Sequence, residues 1–251
     1  MKVGVFFRIG NPPPFQRDWH QYYSETLEQV EEAERLGFDS VTTTEHHFSP
    51  DGYTPSPLPI EAAMAARTKR IEICSYVILF PLYHPLRFAE DAAEVDIISG
   101  GRLVLGLGLG YRHQEFEGFG VERSTSGKLM DESVEILVRA FTEDKFSFNG
   151  KFFQLKDVQL KPKPYRTPRP TIWVGGPTNT AAIRRVAKWG LEGFAGRPSP
   201  VMYEKYKELC KEYNTEPKAQ SQSLFFGHCA EDPEKAYAEA GKYGQWQWSW
   251  Y

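Results

Sequence analysis

Cysteine is scarce in this chain. Cys74, Cys210 and Cys229 are three in 251 residues, odd in number and far apart. That excludes a disulfide framework and gives no cysteine set for zinc. Long apolar runs are missing too: none approaches the ~20 residues of a membrane span. The short run in MKVGVFFRIG soon meets Arg8 and a proline cluster, unlike a secretory leader. Neither charge dominates. Thirty Lys and Arg face 33 Asp and Glu, for a formal net charge of −3, so there is no basic field to hold nucleic acid. A cytoplasmic protein with no membrane and no nucleic-acid partner is expected.

What is present is apolar mass, 41% hydrophobic residues, enough for the core of one large α/β domain. KVGVFF, FDSVTTT, IEICSYVILF, RLVLGLGLG, TIWVGG, EGFAG and QSLFFGH read as seven short strands. Between them lie amphipathic stretches, beginning with SETLEQVEEAERLG, where Ser24 is the expected N-cap and Leu27, Val30 and Ala33 share one face. Strands apolar on both faces, alternating with helices, imply a parallel sheet covered by helices. So many repeats favour an α/β fold of the (β/α)8 TIM-barrel kind over an open doubly wound sheet. Seven strands leave that barrel without its last strand–helix repeat, where the chain ends on GQWQWSWY.

The residues 1–251 are expected to form a single domain. Asn149-Gly150, amid the alternating KFSFNGKFFQL, predicts a β-hairpin inserted at about 145–160. Trp246, Trp248 and Trp250 are expected either to pack on the barrel or to form an exposed apolar patch.

In a parallel barrel, chemistry sits at the C-terminal strand ends. TTEHHFSP closes the second strand there, with Glu45, His46 and His47 in a row. Neighbours on an extended segment point to opposite sides, which argues against one metal held by both imidazoles. A catalytic or ligand-orienting histidine, or one simply satisfied by Glu45, both remain open. His84, in YVILFPLYHP, reads as a turn residue more than a catalyst.

VGGPTNT closes the fifth strand. Gly175 and Gly176 allow close backbone approach, and Thr178, Asn179 and Thr180 stand where a helix starts, which suits a phosphate. A tight turn with an ordinary cap accounts for the same letters. GLGLGYR, with Gly108 at its centre, lacks the spacing of a dinucleotide fingerprint. Its small residues leave room either for a flat ring or for neighbouring strands.

Three collinear blocks carry a resemblance: GFDSVTTTEHHF, ILFPLYHPLRFAEDAAEVDIISGGRLVLGLGLGYRHQEFEGFG and PTIWVGGPTNTAAIRRVAKWG. Together, with the inserted hairpin between them, they resemble the bacterial luciferase-like, flavin-dependent monooxygenase family. The resemblance implies a TIM barrel that binds reduced FMN, or a deazaflavin, at its C-terminal face and reacts with oxygen and a small organic substrate. It also implies a separate flavin reductase or nicotinamide donor as electron source, and a homodimer.

Carried over by position, His46 matches the family's acid–base histidine beside the flavin ring, with Glu45 and His47 holding the strand end. Tyr76–Val77 matches the place of a non-prolyl cis bond beneath the ring. Gly175, Gly176, Thr178, Asn179 and Thr180 match the phosphate turn. Luciferase proper has an arginine where this chain has Leu109, so Arg112 or Arg197 would have to supply charge for the phosphate, and aldehyde specificity does not transfer. The alternatives are a deazaflavin-dependent dehydrogenase or reductase, and a flavin binder without turnover.

Overall fold

Runs of four to six residues that are apolar on both faces pair best when helices cover both sides, and this chain repeats that unit along its length. The computed structural model describes residues 1–176, 178–224 and 227–250, with the backbone alone at 247, 248 and 250. In order, the elements are β1 (Gly4–Phe6), α1 (Trp19–Arg35), β2 (Ser40–Thr43), α2 (Pro57–Arg67), β3 (Glu72–Ser75) and β4 (Ile78–Leu79). Next come α3 (Pro85–Ser99), β5 (Leu103–Gly108), α4 (His113–Gly118), α5 (Ser126–Thr142), β6 (Phe146–Asn149) and β7 (Gln154–Val158). The last are β8 (Thr171–Gly175), α6 (Thr180–Trp189), β9 (Gly193–Ala195), α7 (Pro200–Glu212), β10 (Gln220–Gln222) and α8 (Pro233–Trp250).

The main sheet runs β1-β2-β3-β5-β8-β9-β10 with every neighbour parallel, and β4 also pairs with β5. The order follows the chain without the reversal that marks a doubly wound sheet. The fold is therefore of the TIM-barrel class, as expected, with seven strand positions among the described residues. β3 and β4 are one position interrupted: between the pairs Cys74↔Val104 and Ile78↔Leu107, four steps on this side face three on β5. That extra residue turns the chain at Tyr76–Val77, a bulge placed beside the barrel mouth.

The core divides in two. Phe7, Ile9, Val30, Val41, Met64 and Ile73 pack the β1–β3 side against α1 and α2. A larger cluster around Phe88, Leu105, Leu137, Ile172, Ile183, Phe194 and Tyr206 joins β5, β8 and β9 to α3, α5, α6 and α7. Phe88 is fully covered, a burial of the kind that contributes about 1.5–3 kcal/mol. α3 starts on Pro85 and stops where Gly100 turns left-handed, its amide and that of Gly101 returning to the Ile97 and Asp96 carbonyls.

Several boundaries differ from the sequence reading. α1 begins at Trp19 and is capped by Asp18, which accepts from the Gln21 amide at 2.9 Å, so Ser24 lies inside the helix. The hairpin forms, but Asn149 pairs directly with Gln154 and leaves a four-residue loop. Glu132 of α5 holds that loop open by accepting from the Lys151, Phe152 and Phe153 amides. β10 lies at Gln220–Gln222, ahead of the predicted QSLFFGH, whose Phe225 and Phe226 fall outside the described residues.

The tryptophan-rich end is helical, continuing α8 to Trp250 past Gly241 and Gly244, since isolated glycines weaken a helix without breaking it. Trp246 is half-buried there; the side chains of Trp248 and Trp250 lie outside the described residues. α8 rests on the loop leaving β1, with Phe15 meeting Tyr243 edge-on at 5.3 Å. Among the described residues no helix is long and apolar enough to cross a membrane.

Candidate active site

TTEHHFSP continues straight out of β2 into the barrel mouth, and all four residues from Thr44 to His47 are buried. The two imidazoles turn to different carboxylates. His47 Nε2 lies 2.7 Å from Glu45 Oε1. Glu45 also accepts from the Tyr83 hydroxyl at 2.8 Å and the Leu79 amide at 2.7 Å. Glu45 and His47 thereby tie the exit of β2 to that of β4.

His46 Nδ1 sits 2.8 Å from Glu115 Oε1, and the same oxygen accepts from the His47 amide at 2.9 Å. Glu115 is fully buried on the short helix α4. Burial pushes its carboxyl up, but the hydrogen bonds from His46 and the His47 amide, with the charge of Arg112, outweigh it and hold the group below its ordinary range. An ionised Glu115 can only accept, so Nδ1 carries the proton and the Nε2 lone pair faces away. Tyr111 reaches that side, its hydroxyl 3.4 Å from Nε2. Tyr53 stands edge-on to the imidazole at 5.0 Å. This is a histidine oriented to accept and return a proton at one defined atom.

The remaining sequence candidates divide between two places. Arg112 donates to the His47 carbonyl at 3.2 Å and to Glu115 at 3.4 Å, so it belongs to the His46 side of the mouth. Arg197 is exposed just beyond β9. The Tyr76–Val77 peptide is cis, the feature the resemblance implies, and the Tyr76 amide donates to the Thr43 carbonyl at 2.7 Å. Val77 is the centre of a glycine-lined patch: a Cβ on Gly108 would fall 2.2 Å from it and one on Gly175 3.4 Å. Tyr76, Val77, Gly108 and Gly175 are thus brought together across β4, β5 and β8.

Gly176 is left-handed at φ 76°, and Asn179 caps α6, its side chain accepting from the Ala182 amide at 2.9 Å. Thr178 and Thr180 are exposed at the start of that helix.

The glycines of β5 answer to packing. A Cβ on Gly106 would stand 2.2 Å from the Ser75 carbonyl oxygen, and backbone cannot step aside as a side chain can. Gly106→Ala is expected to cost about 1–3 kcal/mol. A urea denaturation midpoint equal to that of the parent would contradict this.

Sequence reasoning gave no role to Glu115 or to Glu61. Glu61 of α2 is fully buried under the mouth, accepting from Thr43 at 2.5 Å and from Ser75 at 3.0 Å. Burial pushes its carboxyl up to about 7, against the opposing hydrogen bonds of Thr43 and Ser75. Nothing in HQEFEGFG or IEAAMAAR distinguishes these glutamates from solvated ones; only a carboxylate on an otherwise inward helix face gives a signal, and Glu61 has it beside Ile60 and Met64.

Comparison with known proteins bears on the same surfaces. A family model described as luciferase-like monooxygenase matches residues 1–251. The oxygenase component of a flavin-dependent trigonelline monooxygenase from Acinetobacter baylyi is 31% identical over 63% of this chain and 44% of its own length. The beta chain of alkanal monooxygenase from Photorhabdus luminescens is 26% identical over 95% of this chain and 75% of its own. Among solved structures, the monooxygenase RslO1 from Streptomyces bottropensis superposes with a TM-score of 0.86 at 28% identity, covering 98% of this chain and 77% of that one. The chain spans about half the length of the first relatives it matches.

Proposed function

This chain belongs to the luciferase-like monooxygenase family, and from that premise we propose a flavin-dependent monooxygenase using reduced FMN and oxygen on a small organic substrate. The observation that carries the reading is the pair His46–Glu115, a buried imidazole fixed in one tautomer at the mouth of the barrel. When bound, reduced flavin supplies the electrons for oxygen chemistry.

The residues present fit such a group. Tyr76 and Val77 lie beside Gly108 and Gly175 at the strand ends, where Val77 packs directly on the bare backbone of both glycines and would carry a flat ring above them. Gly176, the Thr178 hydroxyl and the start of α6 suit its phosphate. Asn179 contributes by capping that helix, and Arg197, exposed just beyond β9, is the cation proposed for the phosphate. His46 holds or moves a proton at Nε2. Both histidines are buried and Tyr53, itself buried, stands edge-on to His46, which limits water there.

The oxygenase-component description of the Acinetobacter protein supports electron delivery by a separate flavin reductase. A homodimer is the expected assembly, and a monomeric sedimentation profile would contradict it. The test of function is a titration of the purified protein with FMN under reducing conditions, followed by oxygen-uptake measurements. Saturable binding with oxygen consumption is expected, and no affinity for FMN would remove the reading. A deazaflavin enzyme would instead hold that cofactor and consume no oxygen, and a pure binder would take FMN without turnover.

A further inference from the structure

Between the loop leaving β1 and the inner face of α8 lies a cavity of about 820 Å³, within the range of organic-ligand sites. Phe15 and Tyr22 form one wall; Ala236, Tyr237, Ala240 and Gly244 form the other. Ala236, Ala240 and Gly244 recur every four residues, so they share one face of the helix, and none carries a side chain beyond Cβ. Tyr237 and Tyr243 of the same helix also line the cavity, so aromatic rings stand on both sides of the slot that these small residues leave. Both arginines of the lining are paired, Arg8 with Asp51 and Arg17 with Glu25, and His228 hydrogen-bonds Glu239. The Tyr22 hydroxyl donates to the Gly10 carbonyl. The lining therefore offers apolar area and ring contacts, with both of its arginines already held by carboxylates.

Its position bears on the reaction. None of Tyr76, Val77, Gly108, Gly175, Gly176 or Thr178 lines it, whereas Arg8 does. The Arg8 guanidinium lies 4.6 Å over the Tyr53 ring, and Tyr53 touches His46. In the sheet, β2 delivers His46 between β1, on the cavity side, and β3, which leads to Tyr76. His46 does not itself line the cavity; Tyr53 and Arg8 link it to the cavity wall.

We propose that this cavity is the substrate chamber, and that it takes an uncharged, flat, fused-ring aromatic compound in preference to a linear aliphatic one. Calling the occupant a substrate rests on the flavin reading above; its binding does not. The experiment is titration calorimetry of the full chain without flavin, using 2-naphthol as probe, with 2-naphthoate and decanal as comparisons.

Saturable 2-naphthol binding is expected, weakened at least about tenfold in Ala240→Trp and in Gly244→Phe, which fill the slot from the half-buried helix face. FMN affinity should be unchanged in both variants, and far-UV circular dichroism and urea midpoints matching the parent report that they fold. Decanal and 2-naphthoate should bind at least about tenfold more weakly than 2-naphthol. Equal 2-naphthol binding by the parent and either folded variant overturns the proposal, as does tighter binding of decanal or 2-naphthoate. If the flavin reading alone fails, FMN affinity is absent while 2-naphthol binding and its loss in the variants persist. If the chamber alone fails, the reverse is seen.

Discussion

Replacing His46 with alanine is expected to lower kcat for oxygenation by about 10²–10⁴-fold, the range for loss of a positioned proton-transfer group. FMN affinity should change far less. The reason is geometric. Glu115 and the His47 amide fix the Nδ1 side of the ring, so the ring presents Nε2 as its site for proton transfer. Tyr111 lies 3.4 Å from Nε2, but burial pushes its hydroxyl up, first of all, and the nearby Glu115 charge adds to that. It cannot serve as the base near neutral pH. Stopped-flow turnover with reduced FMN would read the effect, and wild-type rates in the variant would remove His46 from the reaction. Glu115→Ala is the companion variant: it leaves the imidazole in place but frees its ring and tautomer.

The second large effect concerns stability. Glu61 is fully buried, and its carboxyl is pushed up to about 7 from an ordinary 4.5. The native state therefore keeps a proton that the unfolded chain has released between those values. Stability from this group is full below about pH 4.5 and declines as pH rises toward 7, by about 3 kcal/mol in total at 1.36 kcal/mol per pKa unit.

Glu61→Gln is isosteric with the protonated acid and can still accept from Thr43 while meeting Ser75. It should match the parent at pH 5 and exceed it at pH 8. Urea melts of both proteins across pH 5–8 would check this. Parallel stability profiles would show that Glu61 does not titrate in that window.

How much of this was legible beforehand follows from the kind of information each feature needs. Apolar runs of strand length, separated by helices with Pro at the start and Gly at the end, specify their own local structure. β8 accordingly lies within a residue of TIWVGG. The hairpin was also legible from Asn149-Gly150, but its loop length was not, because Glu132 is a distant partner that sets it. α4 was missed altogether, since six residues carry too little periodicity to announce a helix.

The sequence by itself determined the succession of β and α units, the barrel class, and the strand end on which His46 stands. Those properties are local, set by side-chain polarity at a period of two or 3.6 and by the few residues that stop a helix. Tertiary structure alone decided which histidine does what. His46 and His47 are chemically identical neighbours, and what separates them is that one ring meets Glu115, 69 residues away, while the other meets Glu45, two residues away. It also decided that Glu61 is buried and that α8 leaves a slot beside β1. Burial, tautomer and cavity all depend on groups that approach through space, and no short stretch of sequence carries the address of its partner.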